Sequence, residues 1–334
     1  MSNTINGQIS HFSQFYSTPM TIAPSFAGMT GASRISLNYR DQWPKLPGTF
    51  VTFALGADHY FPKIKSGVGI LAYRDQAGTG NLSLTDVGVV YSYRLKVGEK
   101  RQFKDREWYL VPGMTFKYSQ RAIDFYKLTF GDEYNPQTGL FTNGTIETPP
   151  IAKTGYYDFS ASLMGFSNYF WGGFSADHLL MPNQSLTYEN AKIPMKFSVF
   201  GGYKYLINKR KKGRFGEEPE SVTFAFHYRY QGGYDQFDIG AYWSPDPFTL
   251  GAWVRGLPVL NKGEGNYSSI DAIIVLVGFK VNPKLKIGYS YDLTVSGLLS
   301  HTGGAHEISL VYEFNQDLKR YKKHRHAVVP CPVF

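Results

Sequence analysis

The stretch Val222-Thr223-Phe224-Ala225-Phe226-His227-Tyr228-Arg229-Tyr230 alternates strictly. Val222, Phe224, Phe226, Tyr228 and Tyr230 make one apolar face, while Thr223, Ala225, His227 and Arg229 make a small, polar or charged one. A period of two marks a β-strand, because successive side chains point to opposite faces of a sheet. The same dyad recurs as Ile35, Leu37 and Tyr39 against Arg34, Ser36, Asn38 and Arg40, and as Val87, Val89, Tyr91 and Tyr93 against Asp86, Gly88, Ser92 and Arg94. It returns as Trp108, Leu110, Met114, Phe116 and Tyr118 against Thr115 and Lys117, and as Leu285, Ile287, Tyr289 and Tyr291 against Lys286, Ser290 and Asp292.

A soluble sandwich or propeller also alternates, so the period leaves both architectures open. Aromatic placement discriminates between them. Trp108 and Tyr118, Phe237 and Trp243, and Tyr289 and Tyr291 sit at strand ends on the apolar face, as in the interfacial girdles of a barrel whose apolar face meets lipid. With 25 Tyr, 25 Phe, 5 Trp, 35 Gly and only 18% charged residues, the composition is one of strands and turns. A membrane-spanning helix needs about 18 uninterrupted apolar residues, and the longest such run, Ala272 to Phe279, is the length of a strand. Helical spans are therefore excluded.

Strands are expected near 33–41, 49–58, 67–75, 83–95, 107–119, 157–166, 169–178, 194–206, 219–230, 234–243, 248–255, 269–280, 284–292 and 304–314. The expected fold class is all-β, a transmembrane antiparallel β-barrel of about 14 strands of the outer-membrane type. An even count puts both chain ends on one side, which in such barrels is periplasmic. Long loops at 42–48, 120–156, 179–193, 256–268 and 293–303 then face outward, and tight turns at 167–168, 244–247 and 281–283 face inward, with 96–106 and 207–218 as exceptions. Met1 to Ser10 carries no basic and apolar leader, so a secretory signal is taken as removed before this numbering.

Three regions follow: 1–32, a periplasmic N-terminal segment expected to pack at the barrel mouth and plug it in part; 33–314, the transmembrane barrel; and 315–334, a basic periplasmic tail. Phe12 to Gly28 is too aromatic to hang in water, and Pro19 and Pro24 prevent a regular element there. On the inward face, Arg34, Arg40, Arg94, Lys117 and Arg229 have potential partners in Asp86, Asp238, Asp292, Glu307 and Glu313. A salt-bridged or plugged lumen is the expectation.

No catalytic constellation is found. The histidines are scattered, no Ser, His and acid set appears, the Gly-Gly pairs lack the strand-to-helix context of a phosphate loop, and no cofactor motif is present. His324, His326 and Cys331 read as part of a solvated basic tail rather than a metal site, with Cys331 an inert thiol. Net charge is +9, but ten cations lie in two patches: Lys209, Arg210, Lys211, Lys212 and Arg214, and Lys319, Arg320, Lys322, Lys323 and Arg325. Without them 25 basic residues face 26 acidic ones, which argues against nucleic acid as a partner. Both patches suit anionic lipid headgroups or an acidic periplasmic partner.

The order of blocks along the chain carries a resemblance. Phe12-Ser13-Gln14-Phe15-Tyr16, Ile22-Ala23-Pro24-Ser25-Phe26-Ala27-Gly28 and Arg40-Asp41-Gln42-Trp43-Pro44 open it. Leu128-Thr129-Phe130-Gly131-Asp132, Phe170-Trp171-Gly172-Gly173-Phe174, Pro182-Asn183-Gln184-Ser185, Ile287-Gly288-Tyr289-Ser290-Tyr291-Asp292 and Gly303-Gly304-Ala305-His306-Glu307 continue it. Together these resemble the PorP/SprF family of type IX secretion and gliding-motility membrane proteins from Bacteroidota. Ala23-Pro24-Ser25-Phe26 departs from the commoner Asn-Pro-Ala-Tyr of that family. The resemblance implies a non-enzymatic accessory barrel that helps export or anchor large cell-surface proteins, adhesins among them. Its implied partners are membrane lipid and lipopolysaccharide, the C-terminal domain of a secreted cargo, and periplasmic machinery subunits or lipoproteins. A passive solute porin is the alternative, and the two differ in whether the lumen is filled.

Overall fold

The computed structural model describes residues 11–97, 107–135, 137–141, 151–186, 190–207, 219–257, 270–295, 302–314 and 328–332. Among the described residues fourteen strands build the wall: β1 Ser33–Gln42, β2 Thr49–Phe61, β3 Ser66–Gly78, β4 Leu82–Tyr93, β5 Trp108–Ala122, β6 Lys153–Phe166, β7 Phe170–Asp177, β8 Lys196–Leu206, β9 Ser221–Gln231, β10 Tyr234–Ser244, β11 Phe248–Leu257, β12 Ala272–Lys280, β13 Leu285–Thr294 and β14 Ala305–Phe314. Each pairs antiparallel with its neighbours in sequence, and β1 pairs with β14 from Ser33↔Phe314 to Gln42↔Ala305. The ring is closed, so no strand edge is left with unpaired backbone groups.

The alternation read from the sequence sorts the two faces. On β1, Ile35 and Tyr39 are 39% and 41% exposed, while Arg34, Ser36 and Asn38 on the opposite face are fully buried. The exposed face of every strand carries such aliphatic and aromatic side chains, Phe53, Val89, Phe116, Phe197, Val275 and Ile308 among them. This is the apolar belt that lipid covers. Local chemistry sets the turns. Gly232 and Gly233, at φ 57° and 90°, close the two-residue link between β9 and β10, a conformation that favours glycine at both positions. Strand bounds fall within a few residues of expectation, the largest shift being at β6, which begins at Lys153 instead of 157. The 120–156 loop also contains a small hairpin, Tyr134–Asn135 with Leu140–Phe141, which the sequence reading did not anticipate.

A register shift between Phe237 and Ile239 marks a bulge opposite Arg255 and Gly256. Gly256 has φ 86° and donates its N–H to Asp238 Oδ1 at 3.1 Å. Two consecutive residues of β11, Arg255 and Gly256, are thereby buried against the lumen. The hydrophobic core sits inside the ring. Phe15, Tyr16, Phe26 and Met29, from the segment preceding β1, pack with Phe166, Trp171, Phe200, Tyr242, Trp253 and Ile274 of the wall.

Candidate functional site

The lumen is the site, and residues 11–32 occupy it. This segment takes two single 3₁₀ turns, Pro19–Thr21 and Pro24–Phe26, each opened by a proline whose fixed φ suits a first helical position. Its aromatic side chains spread onto different wall strands. Phe15 lies 4.6 Å from the Trp253 ring, Tyr16 meets Trp171 edge-on at 5.8 Å, and Phe26 tilts against Phe200 at 5.2 Å. Phe15, Tyr16, Phe26 and Met29 are each at most 4% exposed, and burying one such side chain is worth about 1.5–3 kcal/mol. The segment runs inside the lumen between the Glu307 and Asp58 levels of the wall. Ser13 and Gln14 sit beside Glu307, two positions in from the far end of β14, and Ala32 leads into β1 at the opposite end of the strands.

Near the distal mouth the segment is held by a carboxylate clamp. Glu307 accepts the backbone N–H of Ser13 at 2.6 Å and of Gln14 at 3.0 Å, while its own backbone carbonyl accepts from the Gln14 amide at 3.0 Å. Asp292 accepts from the Ser13 hydroxyl at 2.7 Å. Two arginines neutralise this pair: Arg40 lies 2.7 Å from Asp292 and 3.4 Å from Glu307, and Arg255 lies 2.9 Å from Asp292. These groups are nearly or fully buried, so each carboxylate needs its partners to offset desolvation. Ser17 and Thr18 extend the contact, both hydroxyls donating to Asn38 Oδ1 at 2.9 and 3.1 Å.

Closer to the chain ends, Asp58 pairs with Arg34 at 2.8 Å and accepts the Gly28 N–H at 2.8 Å. Arg94 donates to the Gly28 carbonyl at 3.0 Å and stacks over the Tyr60 ring at 4.2 Å. Ser92 donates to the Ala27 carbonyl at 2.8 Å. The wall is shaped for this contact. A Cβ added to Gly67 would lie 2.2 Å from the Ala27 carbonyl oxygen, and one added to Gly113 would lie 2.3 Å from the Ser25 nitrogen. Only glycine allows the segment's backbone to come so near.

The expected lumen residues fall into separate clusters. Arg40 and Asp292 belong to the distal clamp, Arg34 and Arg94 hold Gly28, and Arg229 pairs with Asp238 at 2.6 Å. Lys117 bridges Asp86 at 3.4 Å and Asp158 at 3.5 Å, and Asp158 also meets His178 Nδ1 at 2.6 Å. Arg34 takes Asp58, its cross-strand neighbour on β2, while Glu313, its neighbour on β14, takes Lys286 at 2.9 Å. Asp58, Asp158, His178 and Arg255 were missed in the sequence reading. Inward parity is the signal that would have found the three on strands, whereas nothing local marks Ser13 or Gln14 as partners of residues nearly 300 positions away.

Between the segment and the strands from β3 to β9 a cavity of about 110 Å³ persists, lined by His11, Asp86, Lys117, His178, His227 and Arg229 among others. Burial, followed by the proximity of Arg229, Lys196, His227 and Arg255, holds the His11 imidazole well below its ordinary pKa, so it is neutral there. Among the described residues no three His, Cys, Asp or Glu side chains converge as a metal-ligand set.

At the C-terminal end, Val329 and Cys331 are 2% and 4% exposed and join the core that contains Tyr16, Phe26 and Met29. Its apolar side chains find cover on the segment that fills the barrel. Both cationic patches, Lys209, Arg210, Lys211, Lys212 and Arg214, and Lys319, Arg320, Lys322, Lys323 and Arg325, lie outside the described residues, as do His324 and His326.

Comparison with solved structures gives outer-membrane proteins. Omp33 of Acinetobacter baumannii aligns at 7% identity and a TM-score of 0.46, over 85% of this chain and 98% of that one. The CymD monoaromatic hydrocarbon channel aligns at 10% and 0.48, over 92% and 94%. Outer membrane phospholipase A from Escherichia coli aligns at 8% and 0.37, over 84% and 90%. Similarity at this level carries nothing about activity. Comparison with curated proteins gives no match. The family model described as type IX secretion system membrane protein PorP/SprF matches residues 4–312, nearly the whole barrel together with the segment inside it. This chain therefore belongs to the PorP/SprF family of type IX secretion system membrane proteins.

Proposed function

We propose that the protein is a non-enzymatic outer-membrane accessory of type IX secretion that helps export or anchor large adhesin-like surface proteins, and not a channel for solutes. One observation carries this reading: the lumen is filled along its length by residues 11–32, which are clamped by buried ion pairs and hydrogen bonds at both ends. A fourteen-stranded ring encloses an aqueous space only when nothing occupies it. A permanently open pore has no use for a stopper held in this way.

In this reading the mouth at which β1 begins and β14 ends is periplasmic. The 123–152, 178–195 and 258–271 connections face outward, where a cargo C-terminal domain would meet them, and lipid and lipopolysaccharide surround the apolar belt. The patches at Lys209–Arg214 and Lys319–Arg325 then lie on the periplasmic side, placed to steer an acidic machinery subunit or lipoprotein through salt-sensitive attraction. Purification from native membranes followed by mass spectrometry tests the reading. A secreted protein and periplasmic subunits that co-elute at low salt, with the subunits lost at high salt, support it. A barrel recovered alone, with a large stable open-channel current, refutes it in favour of the porin.

A further inference from the structure

The C-terminal residues 328–332 meet the last residues of the N-terminal segment at the mouth where β1 begins and β14 ends. Val329 N–H donates to the Met29 carbonyl at 3.4 Å. Val328 lies over Gly31, whose Cβ position would be 4.0 Å from Val328 Cγ2. Cys331 is buried in the same core as Tyr16, Phe26 and Met29. On its other side the strap faces a gap of about 130 Å³ lined by polar wall residues, Thr223, Ser244, Lys286 and Glu313 among them. The strap thus joins a core shared by the segment and by wall residues such as Phe200 and Tyr242, with the gap on its other side. The contacts of Val329 with Met29 and of Val328 with Gly31 fall on the last stretch of the segment, just beyond the Asp58 and Arg94 contacts at Gly28 and before the chain enters β1.

We propose that Val328–Pro332 is a releasable latch that holds the N-terminal segment in the terminal mouth, so that the segment leaves the lumen only after the latch lifts into the adjoining gap. The latch is small: one long hydrogen bond and four buried residues, Val329 to Pro332. Losing the burial of one valine changes an opening equilibrium by roughly ten- to a hundredfold, enough to be biased by a partner and too little to be permanent. The device makes the C-terminus the handle and the N-terminus the stopper. It stands on geometry alone and does not depend on which cargo or machinery the barrel serves.

The chain's single cysteine lies in the latch and reports on it directly. The experiment uses the full chain folded in detergent, with a maleimide probe of Cys331 and hydrogen exchange of the peptide backbone. Val329→Asp is expected to raise Cys331 modification at least about tenfold, and to raise exchange across Phe26–Ala32 while β1 and β14 keep their protection. Faster modification with unchanged exchange at Phe26–Ala32 overturns the proposal, because the tail would then rest on the segment without holding it. Should Val329→Asp fail to fold, wild-type protein modified slowly with a bulky maleimide gives the same comparison. Modified molecules must exchange faster at Phe26–Ala32 than unmodified ones from the same sample, and equal exchange refutes the latch.

Discussion

Glu307→Gln is the sharpest probe of the distal clamp, because it keeps the volume of the side chain and removes only its charge. The carboxylate accepts two backbone N–H groups, at 2.6 and 3.0 Å, and faces Arg40 at 3.4 Å. An amide can accept from one of those N–H groups but turns its own NH₂ toward the other, and it gives Arg40 nothing in charge. Arg40 keeps Asp292 at 2.7 Å, so its burial remains partly compensated. Hydrogen bonds to a charged group contribute about 1.5–3 kcal/mol each and neutral ones about 1. Converting one bond from charged to neutral and losing the other therefore costs about 2–4 kcal/mol for the docked limb. At 1.4 kcal/mol per factor of ten, local opening around Ser13–Thr18 should rise by roughly thirty- to several-hundredfold. Hydrogen exchange with mass spectrometry on detergent-folded protein reads this as faster exchange in peptides covering 11–18, with the strands unchanged. Exchange at 11–18 that matches the wild type would refute the claim that Glu307 holds the segment by its charge.

Other outcomes follow from the same contacts. Gly113→Ala puts a methyl group where the Ser25 nitrogen lies 2.3 Å away, so it should displace the segment, with increased protease cutting between Phe12 and Gly28. Gly172→Ala, whose nearest neighbour would be 3.4 Å away, should leave that cutting at wild-type levels. Deleting residues 11–30 should turn a barrel with little planar-bilayer conductance into one with a large, steady current; equal currents would mean the segment does not obstruct the lumen. Burial pushes the Cys331 thiol up to about 12. The folded value exceeds the unfolded one, so the docked tail end should weaken as pH rises from about 9 toward 12. Cys331 alkylation in folded protein should therefore stay slow through pH 9, where an exposed thiol would already react fast. Reversing Lys209, Lys211, Lys212 and Arg214 to Glu should leave barrel abundance normal and reduce surface display of cargo, measured by whole-cell immunolabelling; unchanged display removes the docking role.

Much of the wall was legible in the residues themselves because strand parity is a local property. Val222 to Tyr230 declares its lipid face and its inner face without reference to any other strand, since side chains must alternate on a pleated backbone. That parity also pointed inward for Arg34, Arg40, Arg94, Lys117, Arg229, Asp238 and Asp292, of which all but the partly buried Lys117 are buried. The PorP/SprF membership was likewise readable, from short blocks in a fixed order. Partner choice was not, because it depends on which strands lie side by side and what passes between them. Arg34 pairs with Asp58 only because β1 lies beside β2 and Gly28 passes over both. Arg255 reaches Asp292 from a bulge whose position depends on β10. Ser13, Gln14 and Cys331 belong to no periodic element, so no pattern announces their role. Their places are decided by the closed ring itself, which leaves a confined interior that the apolar and hydrogen-bonding groups of both chain ends can fill.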